Sequence, residues 1–325
     1  MKDFRDRIAV VTGGGTGMGR ELVKQLAAEG CHVALCDVSA EHMAETQAEA
    51  RKVAPAGTRV TTHRCDVSDE RQVLAFRDAV RAEHATDRVH LLFNNAGIGG
   101  GGSLFTDDRA DWERVFAVDW WGVYYVTRAF LPLLVASPEA RIVNTSSVNG
   151  FWASLGPTTP HTAYSAAKFA VKGFTEALIT DLRVNAPHVG VSLVMPGHVG
   201  TSIVINSAAV LGKPSPKEMT PEDLVPVRER IARMGLPADA MSDDQLRAIL
   251  TSIGEQFRDA APLTAAGAAT IILGGVREER WRILVGDDAH ELDRMVRAAP
   301  EQAYERSFVE ELAKKGLFGQ LVRPA

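Results

Sequence analysis

The feature that most constrains the fold of this chain is an alternation of short, continuous apolar runs with longer segments of helical periodicity. This alternation is typical of a parallel sheet joined by crossover helices, and the nearly unbroken apolar character suits strands covered on both faces. The predicted strands are Ile8–Val11, His32–Cys36, Val60–Cys65, Val89–Phe93, Ile142–Thr145, Val191–Val194 and Ile283–Val285. We therefore predict an α/β fold, a single doubly wound domain with a seven-stranded parallel sheet.

Composition sets limits on partners and compartment. The 325 residues are 46% hydrophobic and carry a net charge of −5, with acids and bases interleaved. No basic surface for nucleic acid or anionic membrane is expected. The charged start, Met1 to Arg7, is unlike a secretory signal, and the small-apolar stretch 260–275 is too short to span a bilayer. Three cysteines without paired spacing suggest reduced thiols and a cytoplasmic location, and no metal site is predicted.

One long segment interrupts the even spacing of strands. Residues 202–262 separate the sixth and seventh strands and contain two capping boxes, which begin at Thr220 and Ser242. We predict a helical lid insertion, because the segment follows the carboxyl end of a strand, where ligands bind in such sheets. The alternative is a surface excursion that packs on a neighbouring subunit. Residues 287–325 form an extension of the single domain 1–325 that clasps a partner subunit or borders the lid. Ser39 and Ser68 are predicted N-caps of two crossover helices.

A glycine-rich segment follows the first strand and opens a helix predicted at Arg20–Glu29. Glycines allow a tight turn and close approach of the backbone to phosphates, while the helix amino end supplies N–H donors. The residues expected to hold a pyrophosphate are Gly13, Gly15, Thr16, Gly17, Met18 and Gly19. A glycine pattern alone is weak evidence, but its position between strand and helix indicates a dinucleotide site.

The choice of dinucleotide is predicted from Asp37, which closes the second strand. A carboxylate there can accept both adenosine ribose hydroxyls and would repel a 2′-phosphate. Neither Thr16 nor Val38 supplies a cation for that phosphate, so NAD is favoured over NADP. Residues after the third and fourth strands are expected to contact the adenine and its ribose, although they also suit simple turns. These residues are Asp66, Val67, Asn94, Ala96 and Gly97.

Three side chains indicate proton transfer. Tyr164 and Lys168 lie four residues apart on a predicted helix and so share one face, where an ammonium can lower the pKa of a phenol. Ser147 comes just past the fifth strand. Ser147 would hold a substrate oxygen, Tyr164 would pass the proton, and Lys168 would anchor the nicotinamide ribose. The predicted reaction is hydride transfer between NAD and a small-molecule alcohol or ketone.

Together these motifs resemble the classical short-chain dehydrogenases/reductases, from the glycine turn to Gly286. The resemblance implies a Rossmann-type fold, a nicotinamide cofactor and oxidoreduction of hydroxyl and carbonyl groups. It also implies that Pro196, Gly197, Val199 and Thr201 flank the nicotinamide. Members of this family are usually dimers or tetramers built on two long helices, which correspond here to about 112–135 and 164–184.

Two departures from the family pattern stand out. Asp119 occupies the place of an asparagine that completes a catalytic tetrad through a bound water. An ionised aspartate keeps acceptors, loses the amide donors and adds negative charge near Lys168. We expect the proton relay to persist with a shifted pH optimum. The loop 148–163 is also longer than is usual between the serine and the tyrosine.

Several neighbouring side chains allow two interpretations. Phe151, Trp152 and Leu155 line an apolar substrate wall or pack within their own loop. His161 and His198 are more typical of loop or rim positions than of catalysts. An aromatic group on the helix before strand five is expected to form a helix-packing or subunit face: Trp120, Trp121, Tyr124 and Tyr125.

The predicted function is NAD-dependent dehydrogenation of an apolar, bulky secondary alcohol, or reduction of the matching ketone. One alternative is a 3-oxoacyl thioester reductase, which usually goes with NADPH and a basic docking surface, and neither is evident. Another is a catalytically silent NAD-binding regulator, because Asp119 breaks the usual tetrad. The intact Ser147, Tyr164 and Lys168 argue against the silent protein.

Overall fold

A seven-stranded parallel sheet forms the centre of the molecule. The computed structural model describes residues 1–156, 159–233 and 237–317. Residues 157–158 of the loop after Ser147, 234–236 of the predicted lid and 318–325 of the predicted extension lie outside the described residues. The strands of the sheet are β1 Ile8–Thr12, β2 His32–Asp37, β3 Val60–Arg64, β4 Leu91–Asn94, β5 Ala140–Thr145, β6 Val189–Pro196 and β9 Arg282–Val285, while β7 Val199–Gly200 and β8 Leu263–Thr264 form a separate pair. The sheet order is β3-β2-β1-β4-β5-β6-β9, which confirms the predicted α/β architecture.

Twelve α-helices are found in the described residues. They are α1 Gly17–Ala28, α2 Ala40–Val53, α3 Glu70–His84, α4 Arg109–Phe116, α5 Gly122–Val135, α6 Thr162–Asn185, α7 Ile203–Val210, α8 Pro221–Arg233, α9 Asp243–Asp259, α10 Ala265–Arg277, α11 Asp287–Ala298 and α12 Arg306–Lys314. Helices α1, α2 and α10 cover one face of the sheet, and α3, α5 and α6 cover the other.

The continuous apolar strands follow from this double cover. In β1, Val10 packs on the side of α3 and α5, whereas Ala9 and Val11 pack on the side of α1 and α10. Successive side chains of a strand point to opposite faces, so both sets must be apolar. The crossover helices place every strand in parallel, and the carboxyl ends of the central strands therefore meet at one edge.

The helix boundaries differ from the predictions at three places. Helix α1 begins at Gly17, within the glycine segment, rather than at Arg20. Ser39 caps α2 as predicted. Helix α3 is capped by Asp69 and not by Ser68, because the Asp69 carboxylate accepts hydrogen bonds from the amides of Arg71 and Gln72. The predicted long helix over 112–135 is interrupted by a π-helical turn at Ala117–Trp121. Such turns insert one residue and re-aim the side chains that follow.

The insertion between β6 and β9 is helical, and both predicted capping boxes form. Its helices α8 and α9 share a small core around Leu224 and Leu246. A two-stranded parallel ladder that the sequence did not indicate, β7 Val199–Gly200 with β8 Leu263–Thr264, joins the two ends of the insertion. The insertion therefore leaves and re-enters the domain at adjacent positions.

The described part of the C-terminal extension packs on its own chain. Helices α11 and α12 bury Leu292, Phe308 and Leu312 against Val148 and Trp152 of the loop after Ser147. The structure thus places the described part of the extension against this loop, and its contact with a partner subunit or with the lid stays a prediction. No helix among the described residues has the length and apolar character needed to cross a membrane.

Candidate active site

The glycine turn between β1 and α1 forms a cradle that excludes side chains. Gly13 and Gly17 have φ of +62° and +53°, a left-handed conformation that favours glycine. A β carbon at Gly13 would lie 2.7 Å from Ala96 Cα, and one at Gly19 would collide with the Gly13 carbonyl oxygen. Gly17 and Met18 open α1 and line the adjacent cleft. Their N–H groups stand at a helix amino end, the arrangement that binds a phosphate.

Asn95, which was not among the predicted site residues, holds this cradle. Its Nδ2 donates to the carbonyl oxygens of Thr12 and Gly13 at 3.1 and 3.3 Å. The Thr12 hydroxyl in turn accepts from the amides of Asn95 and Ala96. These bonds join the ends of β1 and β4 into one rigid edge. The paired asparagines at 94 and 95 were the only sequence signal for this role.

Asn94 itself is directed away from the cleft. Its Nδ2 donates to Asn144 Oδ1 at 2.7 Å and to Thr127 Oγ1 at 2.9 Å, and the side chain is buried between β4 and β5. The predicted contact of Asn94 with the cofactor is therefore not supported by its placement. Ala96 and Gly97, predicted with it, do line the cleft.

A cleft of about 250 Å³ runs along this edge of the sheet. Asp37 lines it, and its two carboxylate oxygens accept hydrogen bonds from Gly15 N at 3.0 Å and Ser39 N at 3.1 Å. A carboxylate can accept about four hydrogen bonds, so capacity for ribose hydroxyls is left. Asp37 thus lies in the cleft with free acceptor capacity, as the predicted contact with the adenosine ribose requires.

Asp66 and Val67 also line the cleft, together with Arg114, which no sequence signal had indicated. Arg114 Nη2 lies 2.6 Å from Asp66 Oδ2, and the guanidinium also contacts the Ser68 hydroxyl. Burial alone would raise the pKa of Asp66, but the bonds from Arg114 and Ser68 hold that pKa below its usual value. Asp66 is therefore an ionised acceptor fixed in the cleft wall.

The opposite wall comes from the segment after β6. Thr201 lines the cleft across from Gly17, where a β carbon would lie 3.2 Å from Thr201 Cγ2. Val199 is buried in β7, and Pro196 ends β6. Gly197 lies beneath these residues, against the carboxylate of Asp288.

Helix α7 of the insertion lies across the cleft. Asn206 Nδ2 donates to Thr16 Oγ1 at 3.2 Å, and Gly99 N donates to Ser207 Oγ at 2.8 Å. Lys213 forms an ion pair with Asp111 of α4. These contacts place the start of the insertion over the cleft, and its action as a lid stays a prediction.

Ser147, Tyr164 and Lys168 meet at the carboxyl end of β5. Tyr164 and Lys168 lie on one face of α6, and Lys168 Nζ is 5.2 Å from the centroid of the Tyr164 ring. The Lys168 ammonium donates to Thr145 O at 3.4 Å. Ser147 is buried, and its Oγ accepts a hydrogen bond from Asn149 N at 3.1 Å. The structure thus brings the three predicted catalytic side chains together.

Asp119 enters the same cluster from the π-helical turn. Its Oδ2 lies 3.2 Å from Lys168 Nζ, and its Oδ1 accepts from Ile98 N at 2.8 Å. The carboxyl group is fully buried. Burial raises the pKa of Asp119, and Lys168 and the Ile98 amide only partly reverse this. The expected proximity of Asp119 to Lys168 is confirmed.

The pKa of Tyr164 differs from expectation. Burial of the phenol raises its pKa, and Asp119 adds to this, while Lys168 and Ser147 pull the pKa down without reversing the shift. Burial also opposes the charge on Lys168, yet Asp119 and Tyr164 outweigh it and hold the pKa of Lys168 above its usual value. In the free protein the ammonium is shared between a carboxylate and the phenol, which limits how far it acidifies the phenol.

The remaining predicted pocket residues separate into two groups. The His161 ring lies 4.7 Å from the Tyr164 ring, and burial lowers its pKa to about 4, so a neutral imidazole borders the phenol. Trp152 instead faces the extension, where Nε1 donates to Ala303 O at 2.7 Å. Its 2% exposure and this hydrogen bond favour packing against the extension over the substrate-wall interpretation. Phe151 packs with the same cluster and with β6.

The family assignment rests on this geometry and on one sequence comparison. Residues 7–210 match the family described as short chain dehydrogenase. The chain belongs to the short-chain dehydrogenase family. Among curated members, SadH of Mycobacterium tuberculosis, an oxidoreductase by name, is 40% identical over 213 residues, covering 66% of this chain and 74% of SadH. A levodione reductase of Leifsonia aquatica is 33% identical over 227 residues, covering 67% and 79%.

Solved members of the short-chain dehydrogenase family share the fold. A Burkholderia phymatum member in complex with NAD superposes with a TM-score of 0.72 at 32% identity, covering 93% of this chain and 95% of that one. A metagenomic short-chain oxidoreductase in complex with NADP gives a TM-score of 0.53 at 33% identity, covering 60% and 83%. The chain is therefore an oxidoreductase of the NAD(P)-binding Rossmann type.

Proposed function

We propose that this protein is an NAD-dependent dehydrogenase of secondary alcohols that also reduces the matching ketones. The observation that carries the proposal is the meeting of Ser147, Tyr164 and Lys168 beside a cleft with a side-chain-free glycine cradle. A phenol and a hydroxyl at one point suit proton transfer to or from a single oxygen atom. A levodione reductase among the relatives supports a carbonyl substrate.

The residues of the cleft fit a nicotinamide dinucleotide. The glycine cradle at the start of α1 would hold the pyrophosphate, and Asp37 would hold the adenosine ribose. Lys168 would anchor the second ribose, and Thr201 would contact the nicotinamide end. When bound, the nicotinamide supplies the acceptor or donor of hydride.

The protein's own part of the chemistry is to orient the substrate oxygen and move one proton. During reduction the Ser147 hydroxyl would donate to the substrate carbonyl oxygen, and the Tyr164 phenol would give that oxygen its proton. During oxidation the Tyr164 phenolate would take the proton from the alcohol. Lys168 stabilises the phenolate, and Asp119 keeps Lys168 charged and in place. General acid–base catalysis of this kind contributes about 10²–10⁴-fold in rate.

We propose NAD rather than NADP as the cofactor because of the position of Asp37. Its carboxylate is fixed by Gly15 N and Ser39 N at the cleft wall, where a 2′-phosphate would meet a negative charge. The Burkholderia phymatum relative, solved with NAD, supports this choice, whereas the relative solved with NADP makes it a point for direct measurement.

We also propose a bulky, apolar substrate. Helix α7 over the cleft is apolar along most of its length, and Val210 lines the cleft. Leu211 packs near Gly100 in the loop after β4. The neutral His161 imidazole lies beside the Tyr164 ring and adds no charge to that side of the site.

Assembly and compartment are part of the same proposal. We expect a homodimer or homotetramer formed through the aromatic face of the π-helical turn and α5, where Trp121 is partly exposed and stacks on Tyr125. Sedimentation equilibrium would give the state directly. The three cysteines are free and buried, which supports a reducing, cytoplasmic setting.

The deciding experiment is a screen of secondary alcohols and ketones with NAD(H) and NADP(H), carried out on the wild type and on Tyr164→Phe. The proposal expects NAD-linked turnover that falls by about 10²–10⁴-fold in the variant, with NADH binding unchanged by fluorescence titration. Full turnover by Tyr164→Phe would overturn the chemistry. Tight NADH binding without turnover in any reaction would instead support the catalytically silent regulator.

A further inference from the structure

The segment that follows β6 is hydrogen-bonded to one buried carboxylate, that of Asp288. Asp288, in the first turn of α11, is 6% exposed. Its Oδ2 accepts a hydrogen bond from His198 N at 2.6 Å, and its Oδ1 accepts from Ala289 N at 2.9 Å. Bonds of this kind, from amides to a charged acceptor, are among the stronger ones in proteins. The C-terminal extension therefore fixes the backbone of the segment predicted to flank the nicotinamide.

The backbone around Asp288 is shaped to this carboxylate. A β carbon at Gly197 would overlap the Asp288 carboxylate oxygens, and so would one at Gly286, which has φ of +103°. Glycine is thus required on two separate segments so that both can close on the same group. A buried carboxylate that lacks hydrogen-bond donors costs free energy. The fold is therefore more stable when the His198 amide stays hydrogen-bonded to Asp288 at the start of α11.

The side chain of His198 makes a second connection, to the insertion. Its Nε2 donates to Phe257 O at 2.8 Å, and its ring lies 4.5 Å from the Phe257 ring. Phe257 is in the last turn of α9, shortly before the chain returns through β8. His198 is itself buried. One residue therefore binds α11 through its backbone and the carboxyl end of the insertion through its ring.

We propose that Asp288 and His198 are positioning residues that couple the insertion to the cofactor cleft. Asp288 fixes the position of the backbone at 196–199, and His198 binds the end of α9 to that segment. The position of the insertion is thereby linked to the position of Thr201 in the cleft wall. The inference rests on the proposed function, because it assumes that the cleft holds a nicotinamide dinucleotide. It assigns a role to the C-terminal extension, whose other described contacts are with the loop after Ser147 and with Arg282 of β9.

The first test measures NADH binding to the full-length protein by fluorescence titration. Asp288→Ala is expected to weaken binding by about 10-fold. Asp288→Asn, which keeps one acceptor oxygen at nearly the same volume, is expected to show a smaller loss. The matched control is Asp287→Asn, an exposed neighbour in the same helical turn, which should bind NADH as the wild type does. Equal affinities for Asp288→Asn, Asp288→Ala and the wild type would overturn the role of Asp288.

The second test distinguishes the contact between the His198 and Phe257 rings from the hydrogen bond that His198 Nε2 donates to Phe257 O. His198→Phe keeps the ring contact with Phe257 and loses the donor, whereas His198→Gln keeps an amide donor. We expect His198→Phe to raise the substrate KM by about 5-fold with kcat changed by less than about 2-fold. Limited proteolysis with NADH present should cut its insertion faster, and His198→Gln should restore both values.

The outcomes distinguish this inference from the proposed function. A wild-type protein that binds neither NADH nor NADPH would refute the cofactor proposal. A wild type that binds NADH, together with His198→Phe and Asp288→Asn variants that match it in affinity, KM and proteolysis, would refute the coupling alone. If Asp288→Ala does not fold, the Asp288→Asn and His198→Phe variants still decide the matter.

Discussion

The Lys168 ammonium lies 3.2 Å from Asp119 Oδ2, and both side chains are almost completely buried. A buried ion pair fixes the charge of each partner, because losing either charge leaves the other unpaired in a poorly solvated site. The pair therefore determines the charge that Tyr164 meets.

Asp119→Asn should lower the pKa of Tyr164, because the carboxylate charge that raises it is removed. Asparagine retains an oxygen to accept from Ile98 N, so the π-helical turn is expected to keep its shape. Alcohol oxidation needs the phenolate, and its rising limb in a pH–rate profile of kcat should move to lower pH by about one unit. The exposed Asp87→Asn is the control. An unmoved profile in Asp119→Asn would remove Asp119 from any proton relay.

Asp37→Ser should relax the choice of cofactor. The change removes the acceptor for the ribose hydroxyls and the negative charge that opposes a 2′-phosphate. We expect NADH to bind about 10-fold more weakly or worse, and the ratio of NADPH to NADH affinity to rise. Titration of both cofactors against the wild type measures this. Glu41→Gln, exposed in the first turn of α2, should leave the ratio unchanged, and the Asp37 assignment is wrong if the two variants behave alike.

Trp152 should contribute to stability rather than to substrate contact. Trp152→Phe removes the donor to Ala303 O and is expected to lower the free energy of unfolding by about 1 kcal/mol, and Trp152→Ala by about 3–5 kcal/mol. Urea denaturation measures both. Trp281→Phe, a partly exposed tryptophan, serves as the control and should change stability little. A Trp152→Phe variant with normal stability and a raised substrate KM would restore the substrate-wall interpretation.

His84 should make the fold sensitive to acid. Burial lowers its pKa from 6.5 to about 4, and the nearby positive charge of Arg59 adds to this shift. The unfolded chain then binds a proton more readily than the folded one, so stability is retained above pH 6.5 and lost as the pH falls toward 4. Between pH 7 and pH 5 His84→Gln should reduce the loss by about 2 kcal/mol. Denaturation at pH 7 and pH 5 checks this, with the exposed His290→Gln as the control.

The sheet and the cradle were predictable because they depend on local patterns. All seven predicted apolar runs are strands of the sheet. A strand covered on both faces is apolar along its whole length, so it is easily distinguished from a polar loop in the sequence. The glycines at 13 and 17 were identifiable because only glycine readily adopts their positive φ. Tyr164 and Lys168 shared a face because helical spacing requires it.

The errors came from contacts that no local pattern encodes. Arg114 and Asp66 are paired across 48 residues, and Asp288 meets His198 across 90. Trp152 was open to two interpretations until the extension was seen to pack on it. The pKa of Tyr164 depends on how deeply the phenol is buried, and spacing along a helix says nothing about burial. Asp119 lies in a π-helical turn at Ala117–Trp121, and no glycine or proline within that span indicates the turn in the sequence.

The short ladder of Val199–Gly200 with Leu263–Thr264 brings the two ends of the insertion together. The two ends are hydrogen-bonded to each other outside the seven-stranded sheet. A change in the length of the intervening segment would therefore alter one wall of the cleft, while the hydrogen-bonded register of β6 with β9 in the central sheet has no need to change.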